Sequence, residues 1–139
     1  MSKLQLTVVS QERQLLQEQV DSVTAPASDG EVTILPEHIS LVTTLDPGEL
    51  IYRSNGNESS IVVSNGFLTV GGNNQVIVMV DSAVHAREIS LKKSQEAIEA
   101  AKSAITFSKN RQELLMAEAN LKQALLEVRV AERSARVRG

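Results

Sequence analysis

The chain has 139 residues, 42% of them apolar and 22% charged, and a formal charge of −3, a balance that excludes a disordered polyelectrolyte. It contains no cysteine, which excludes disulfide scaffolds and thiolate chemistry and fits a reducing compartment. Its few aromatic residues, Tyr52, Phe67 and Phe107, cannot build the stacked basic groove that single-stranded nucleic acid requires, so no nucleic-acid partner is expected.

The opening Met1-Ser2-Lys3-Leu4 lacks the apolar core of a signal peptide. No apolar run approaches the ~20 residues that span a bilayer, so membrane contact is expected only through another protein. Leu4, Leu6 and Val8 alternate with polar residues, the period-2 mark of a half-buried strand. Val20 and Val23 follow, then a turn cluster from Ala25 to Gly30. Val32, Ile34 and Leu35 lead into Pro36. Further β-type stretches run from Leu41 to Leu45, Glu49 to Arg53, Ser60 to Ser64, Phe67 to Val70 and Gln75 to Val80. Between them lie Asp46-Pro47-Gly48, Ser54-Asn55-Gly56-Asn57, Asn65-Gly66 and Gly71-Gly72-Asn73-Asn74. Asn-Gly pairs predict hairpins, because both turn positions tolerate positive φ. Six of the seven glycines fall in this half, so it reads as many short strands in a sandwich or barrel.

After His85 the pattern changes. No Gly or Pro occurs between Ala86 and Arg138, and good helix formers dominate. Leu91, Ser94, Ile98, Ala101 and Ile105 step along one helix face. Leu114, Ala117, Leu121, Ala124, Val128 and Ala131 form a second face after a break at Thr106 to Asn110. Asn110 and Glu113 have the spacing of a capping box. Two helices with so short a connection run antiparallel. Their seam is rich in alanine, which buries little area, so the hairpin is marginal alone and needs support from the β-module or a partner. Charge divides with the pattern. Residues 1–85 carry three bases against ten acids, a net of −7, and residues 86–139 carry eleven against seven, a net of +4. The predicted architecture is therefore β plus α: a β-sandwich over 1–85 and an antiparallel two-helix hairpin over 86–139.

Signals for catalysis are poor. Gly71-Gly72-Asn73-Asn74 is followed by Gln75 and a strand, so it reads as a turn rather than a phosphate loop. His38 and His85 are isolated, and no metal-ligand spacing exists. Serines and acids are plentiful, but nothing resembles a nucleophile elbow. No catalytic residue, metal or cofactor is expected, and the chain reads as a non-enzymatic binding subunit.

The informative segment runs from Val23 to Gly48: Val-Thr-Ala-Pro-Ala-Ser-Asp-Gly-Glu-Val-Thr-Ile-Leu-Pro-Glu-His-Ile-Ser-Leu-Val-Thr-Thr-Leu-Asp-Pro-Gly. It resembles the signature of the epsilon subunit of F-type ATP synthases, called delta in mitochondria. Asn65-Gly66-Phe67 is similar to that family's Gly-Gly-Phe element, and Val78 to Ala83 to its last strand before the hairpin. The departures are Thr33 for Gly, Ser40 for Pro and Asn65 for the first Gly.

The resemblance implies a flattened β-sandwich followed by a helical hairpin. It also implies a central-stalk subunit of a proton- or sodium-translocating synthase, peripheral on the cytoplasmic face of a bacterial plasma membrane. Bacterial origin is favoured because no transit peptide precedes Met1. On this reading residues 1–85 bind the gamma subunit and the membrane rotor ring. Glu31 is carried over as the ring-facing acid, with a solvated turn acid as the alternative. His38 is carried over to the gamma-facing side, although a lone histidine also reads as structural. Ile34, Leu35 and Pro36 are either core or interface. The hairpin, 86–139, is the regulatory part, able to extend and touch the alpha and beta subunits transiently. Arg129, Arg133 and Arg136, with Arg138, are its docking candidates. Their alternative is a solvated helix end whose cations complement the macrodipole. Some members bind ATP through an Ile/Leu-Asp-x-x-Arg-Ala motif. Here Ile89-Ser90-Leu91-Lys92-Lys93-Ser94 lacks the Asp and has Lys93 for the Arg, and Gln123 and Glu127 occupy the two expected arginine positions of the second helix, so no ATP binding of useful affinity is expected. A general adaptor for an unrelated complex and a small hydrolase remain as competing readings.

Overall fold

A computed structural model describes residues 2–38 and 40–138, with side chains up to residue 133. The chain divides into two compact units, Met1–His85 and Ala86–Gly139.

The first unit contains, among the described residues, ten strands: β1 Leu4–Ser10, β2 Gln14–Val20, β3 Ser22–Ala27, β4 Gly30–Ile34, β5 Leu41–Leu45, β6 Gly48–Ser54, β7 Asn57–Val63, β8 Gly66–Gly71, β9 Gln75–Val80 and β10 Ala83–His85. They form one continuous sheet in the order β10-β7-β6-β3-β5-β8-β9-β1-β2, with β4 paired to β3. Pairing is antiparallel except between β1 and β9, where Leu6 lies opposite Val76 and Val8 opposite Val78. The sheet folds over one core. Leu4, Leu6 and Val8 of β1 meet Val76, Val78 and Val80 of β9, Leu68 and Val70 of β8, and Leu50, Ile61 and Val63 of β6 and β7. Alternation along each strand places these side chains inward, and their burial is the main source of the unit's stability.

Turn chemistry explains several strand boundaries. Asn55 (φ 53°) and Gly56 (φ 84°) form the two-residue hairpin between β6 and β7, as the Asn-Gly pair predicts. Asn65-Gly66 does not form the expected hairpin. It carries the chain across from β7 to β8, which pair with different neighbours. Gly66 is needed there for a different reason. A Cβ would fall 2.7 Å from Val80 Cα and against the Met79 carbonyl oxygen. The predicted turn over Ala25 to Gly30 is also shorter than expected. Ala25, Pro26 and Ala27 continue β3, and Pro26 offers its carbonyl to the Asp46 N–H at 2.9 Å. The Lys3 ammonium binds Asp21 at 2.9 Å and the Asn55 side chain at 2.9 Å, fastening β1 to the β6–β7 turn.

The second unit opens with a 3-10 turn over Ala86–Glu88. Helix α1 spans Leu91–Thr106, with the Ser90 hydroxyl accepting from the Lys93 N–H at 3.3 Å as N-cap. Helix α2 spans Arg111–Arg138. Its start is capped as the spacing predicts: Asn110 Oδ1 accepts the Glu113 N–H at 2.8 Å, while Glu113 Oε2 accepts the Lys109 N–H at 2.8 Å. The two helices pack along Ala101, Ala117 and Ala124, which are buried, whereas Ile98, Leu114 and Leu121 are only partly so. Leu115, Met116 and Leu125 are exposed.

Candidate interaction surfaces

The segment singled out in the sequence is split by the fold. Glu31 is exposed in strand β4, one residue past Gly30 (φ 124°), and lies opposite Pro26 in the ladder. Ile34, carried over as either core or interface, is fully buried with Val23 opposite it, so it belongs to the core and offers no contact surface. The next residue, Leu35, is 55% exposed. Pro36 and His38 are half-buried. The loop that follows β4 is tied to a distant turn, because the Glu37 N–H donates to Asn74 Oδ1 at 2.6 Å.

A row of exposed apolar residues on the β-unit was not singled out in the sequence. It lies on the outer face of β5, β8 and β9. The register sets Thr44, Phe67 and Met79 side by side, and Val42, Thr69 and Ile77 in the next row. Val42, Phe67, Ile77 and Met79 are 72%, 53%, 41% and 53% exposed. Partly buried Val9 and Thr7 of β1 continue the two rows. The signal was present in Val76-Ile77-Val78-Met79-Val80, an apolar run without alternation. Such a strand is apolar on both faces, and only one face is occupied by the core.

Of the basic candidates, Arg129 is exposed and Arg133 is half-buried and engaged in an interaction. Arg136, like Arg138, lies outside the residues whose side chains are described. Between the helices is a shallow groove of about 450 Å³, lined by Ala97, Ala100, Ala101, Ala104 and Ala124 with Asn120, Gln123 and Glu127. Burial pushes the Glu127 carboxyl above the usual glutamate range, partly opposed by its hydrogen bond with Gln123. Among the described residues no cluster of His, Asp or Glu could hold a metal ion, and no helix is long and apolar enough to cross a membrane.

Residues 3–86 match the family described as ATP synthase, Delta/Epsilon chain, beta-sandwich domain. The chain belongs to that family. Whole-chain comparison agrees with this delta/epsilon assignment. The ATP synthase epsilon chain of Dehalococcoides mccartyi is 41% identical over 135 residues, covering 96% of this chain and 95% of that one. The epsilon chain of Herpetosiphon aurantiacus is 38% identical over 129 residues, covering 93% and 94%. Among solved structures, a chain of the Euglena gracilis mitochondrial ATP synthase, in its OSCP/F1/c-ring assembly, superposes with a TM-score of 0.76 at 27% identity, covering 97% of this chain and 82% of that one. A chain from the central stalk and c-ring of the Tetrahymena thermophila mitochondrial enzyme shares the fold, with a TM-score of 0.65 at 15% identity over 94% and 97% of the two chains. The delta/epsilon fold is thus a β-unit followed by a two-helix hairpin, as the sequence pattern predicts.

Proposed function

We propose that this delta/epsilon chain is a non-catalytic central-stalk subunit of a rotary ATP synthase, joining the gamma shaft to the membrane rotor ring. The observation that carries the reading is the outer strip of Val42, Phe67, Ile77 and Met79. A small β-unit with a complete core has no internal use for an exposed apolar strip, and the gamma shaft is its occupant. The c-ring named with the similar Euglena chain supports a second contact at Glu31, which projects beside Asp29 from the acidic β3–β4 end and suits basic ring loops. Leu35, Pro36 and His38 extend the gamma side. The chain sits at the cytoplasmic face of the membrane through these contacts alone.

The hairpin acts as a brake on ATP hydrolysis. Its seam is built from alanines, while Leu115, Met116 and Leu125 stay exposed, so apolar surface is available for a second partner. Arg129 and Arg133 are one turn apart and suit acidic loops of the alpha and beta subunits through charge-assisted hydrogen bonds, with Arg136 as a third candidate. The hairpin does not bind ATP with useful affinity. The test is hydrolysis by the cognate catalytic head, stripped of this chain and reconstituted with either the full chain or one ending at His85. Inhibition by the full chain alone, with both forms bound, is the expected result. Equal rates with both forms bound would remove the brake and leave only the coupling role.

A further inference from the structure

One residue of the loop after β4 is held in a conformation that it does not itself favour. Glu37 has φ 66°, in the left-handed region that side-chain-bearing residues avoid. The His38 N–H returns to the Leu35 carbonyl at 3.2 Å, closing a tight turn around Pro36 and Glu37. The Glu37 N–H is directed away from this turn to Asn74 Oδ1 at 2.6 Å, a contact that spans 37 positions of sequence. Asn74 is itself left-handed, with φ 59°, and follows Asn73 at φ 60°. Asparagine tolerates that region better than other side-chain-bearing residues. The Asn74 carbonyl accepts the Gln5 N–H at 2.8 Å, which fixes the residue to β1. One asparagine therefore joins the loop, the β8–β9 turn and the first strand. That turn joins β8 and β9, the two strands that carry Phe67, Ile77 and Met79, so the loop is bonded to the connection between them.

We propose that Asn74 is a positioning residue for partner binding: its side-chain oxygen holds Glu37 left-handed and so presents Leu35 and His38 to the gamma subunit. This rests on the central-stalk reading above. Without the Asn74 acceptor, Glu37 relaxes to negative φ, and the exposed Leu35 and the half-buried His38 shift from the positions they hold here.

The test is titration of the full chain onto a gamma-containing catalytic head depleted of it, with amide hydrogen exchange followed at Glu37. Asn74→Gly keeps the left-handed backbone and the Gln5 bond but removes the acceptor. It is expected to weaken binding by about threefold to tenfold and to speed Glu37 exchange, with the thermal midpoint little changed. Asn74→Asp keeps an acceptor oxygen and is expected to bind like the wild type. Wild-type affinity in Asn74→Gly overturns the proposal, as does equal weakening in Asn74→Asp and Asn74→Gly. Failure of the wild-type chain to bind the head overturns the stalk reading itself, and the proposal with it.

Discussion

Gly48 packs face to face with Pro26: a Cβ at position 48 would lie 2.8 Å from Pro26 Cβ and 3.0 Å from its Cγ. The same two segments are joined by the Asp46 N–H to the Pro26 carbonyl, and the Ser28 hydroxyl donates to Asp46 at 3.0 Å. The Pro47-Gly48 turn is therefore where the β5–β6 connection closes against β3 at the Glu31 end of the unit.

Gly48→Ala is accordingly expected to destabilise the β-unit by about 1–3 kcal/mol, the usual cost of overpacking against a ring that has little room to move. Gly66→Ala should cost more, because the obstacle is the backbone of Met79 and Val80 rather than a side chain. Denaturant midpoints of the two variants, compared with wild type, check both the sign and the order.

The capping arrangement at α2 gives a separate prediction for the hairpin. Asn110→Ala removes the acceptor for the Glu113 N–H and should cost about 1 kcal/mol. With an alanine seam holding α1 to α2, that loss is a large share of the hairpin's margin. Helical circular dichroism during thermal unfolding should therefore fall earlier in the variant, while the β-unit's own transition stays in place.

Glu127 makes the hairpin's stability depend on pH. Burial raises its folded-state pKa above the usual 4.5, so folding favours the protonated acid. The stabilisation is complete below 4.5 and is lost as pH rises through the raised value. Glu127→Gln keeps a neutral side chain at every pH. Near pH 7 it should melt later than wild type, and the two should converge on acidification. The group is partly exposed to solvent, so the effect is modest. A series of melting curves against pH would contradict this if the variant were less stable at neutrality.

The same groove predicts no saturable ATP binding by the isolated chain at sub-millimolar concentrations. Gln123 and Glu127 line it, with no arginine among its lining residues, and the carboxylate repels phosphate. Calorimetric titration measures this directly, and a binding isotherm that saturates would overturn it.

Much of the fold was legible because its signals are local. Leu4, Leu6 and Val8 alternate, Asn55-Gly56 carries two positive φ values, and Asn110 stands three residues before Glu113; each structure needs only its neighbours in sequence. Strand β2 was harder, since Gln14 to Gln19 are largely exposed at the sheet's edge and bring no apolar alternation. Asn65-Gly66 misled because its glycine answers a long-range demand, the approach of β9, rather than a turn. The surfaces were less legible still. Ile34 and Leu35 are equivalent by composition, and only the register with Val23 sends one inward and leaves the other exposed. Val42 joins Phe67, Ile77 and Met79 only through the β5–β8–β9 ladder.

The most direct test of the central claim is to compare binding of the full chain to two catalytic heads, one containing gamma and one assembled from alpha and beta alone. The stalk reading predicts tight binding to the first, weakened by charged substitutions such as Phe67→Glu or Met79→Glu, and little binding to the second. Equal affinity for both heads, or tight binding that ignores those substitutions, would contradict it.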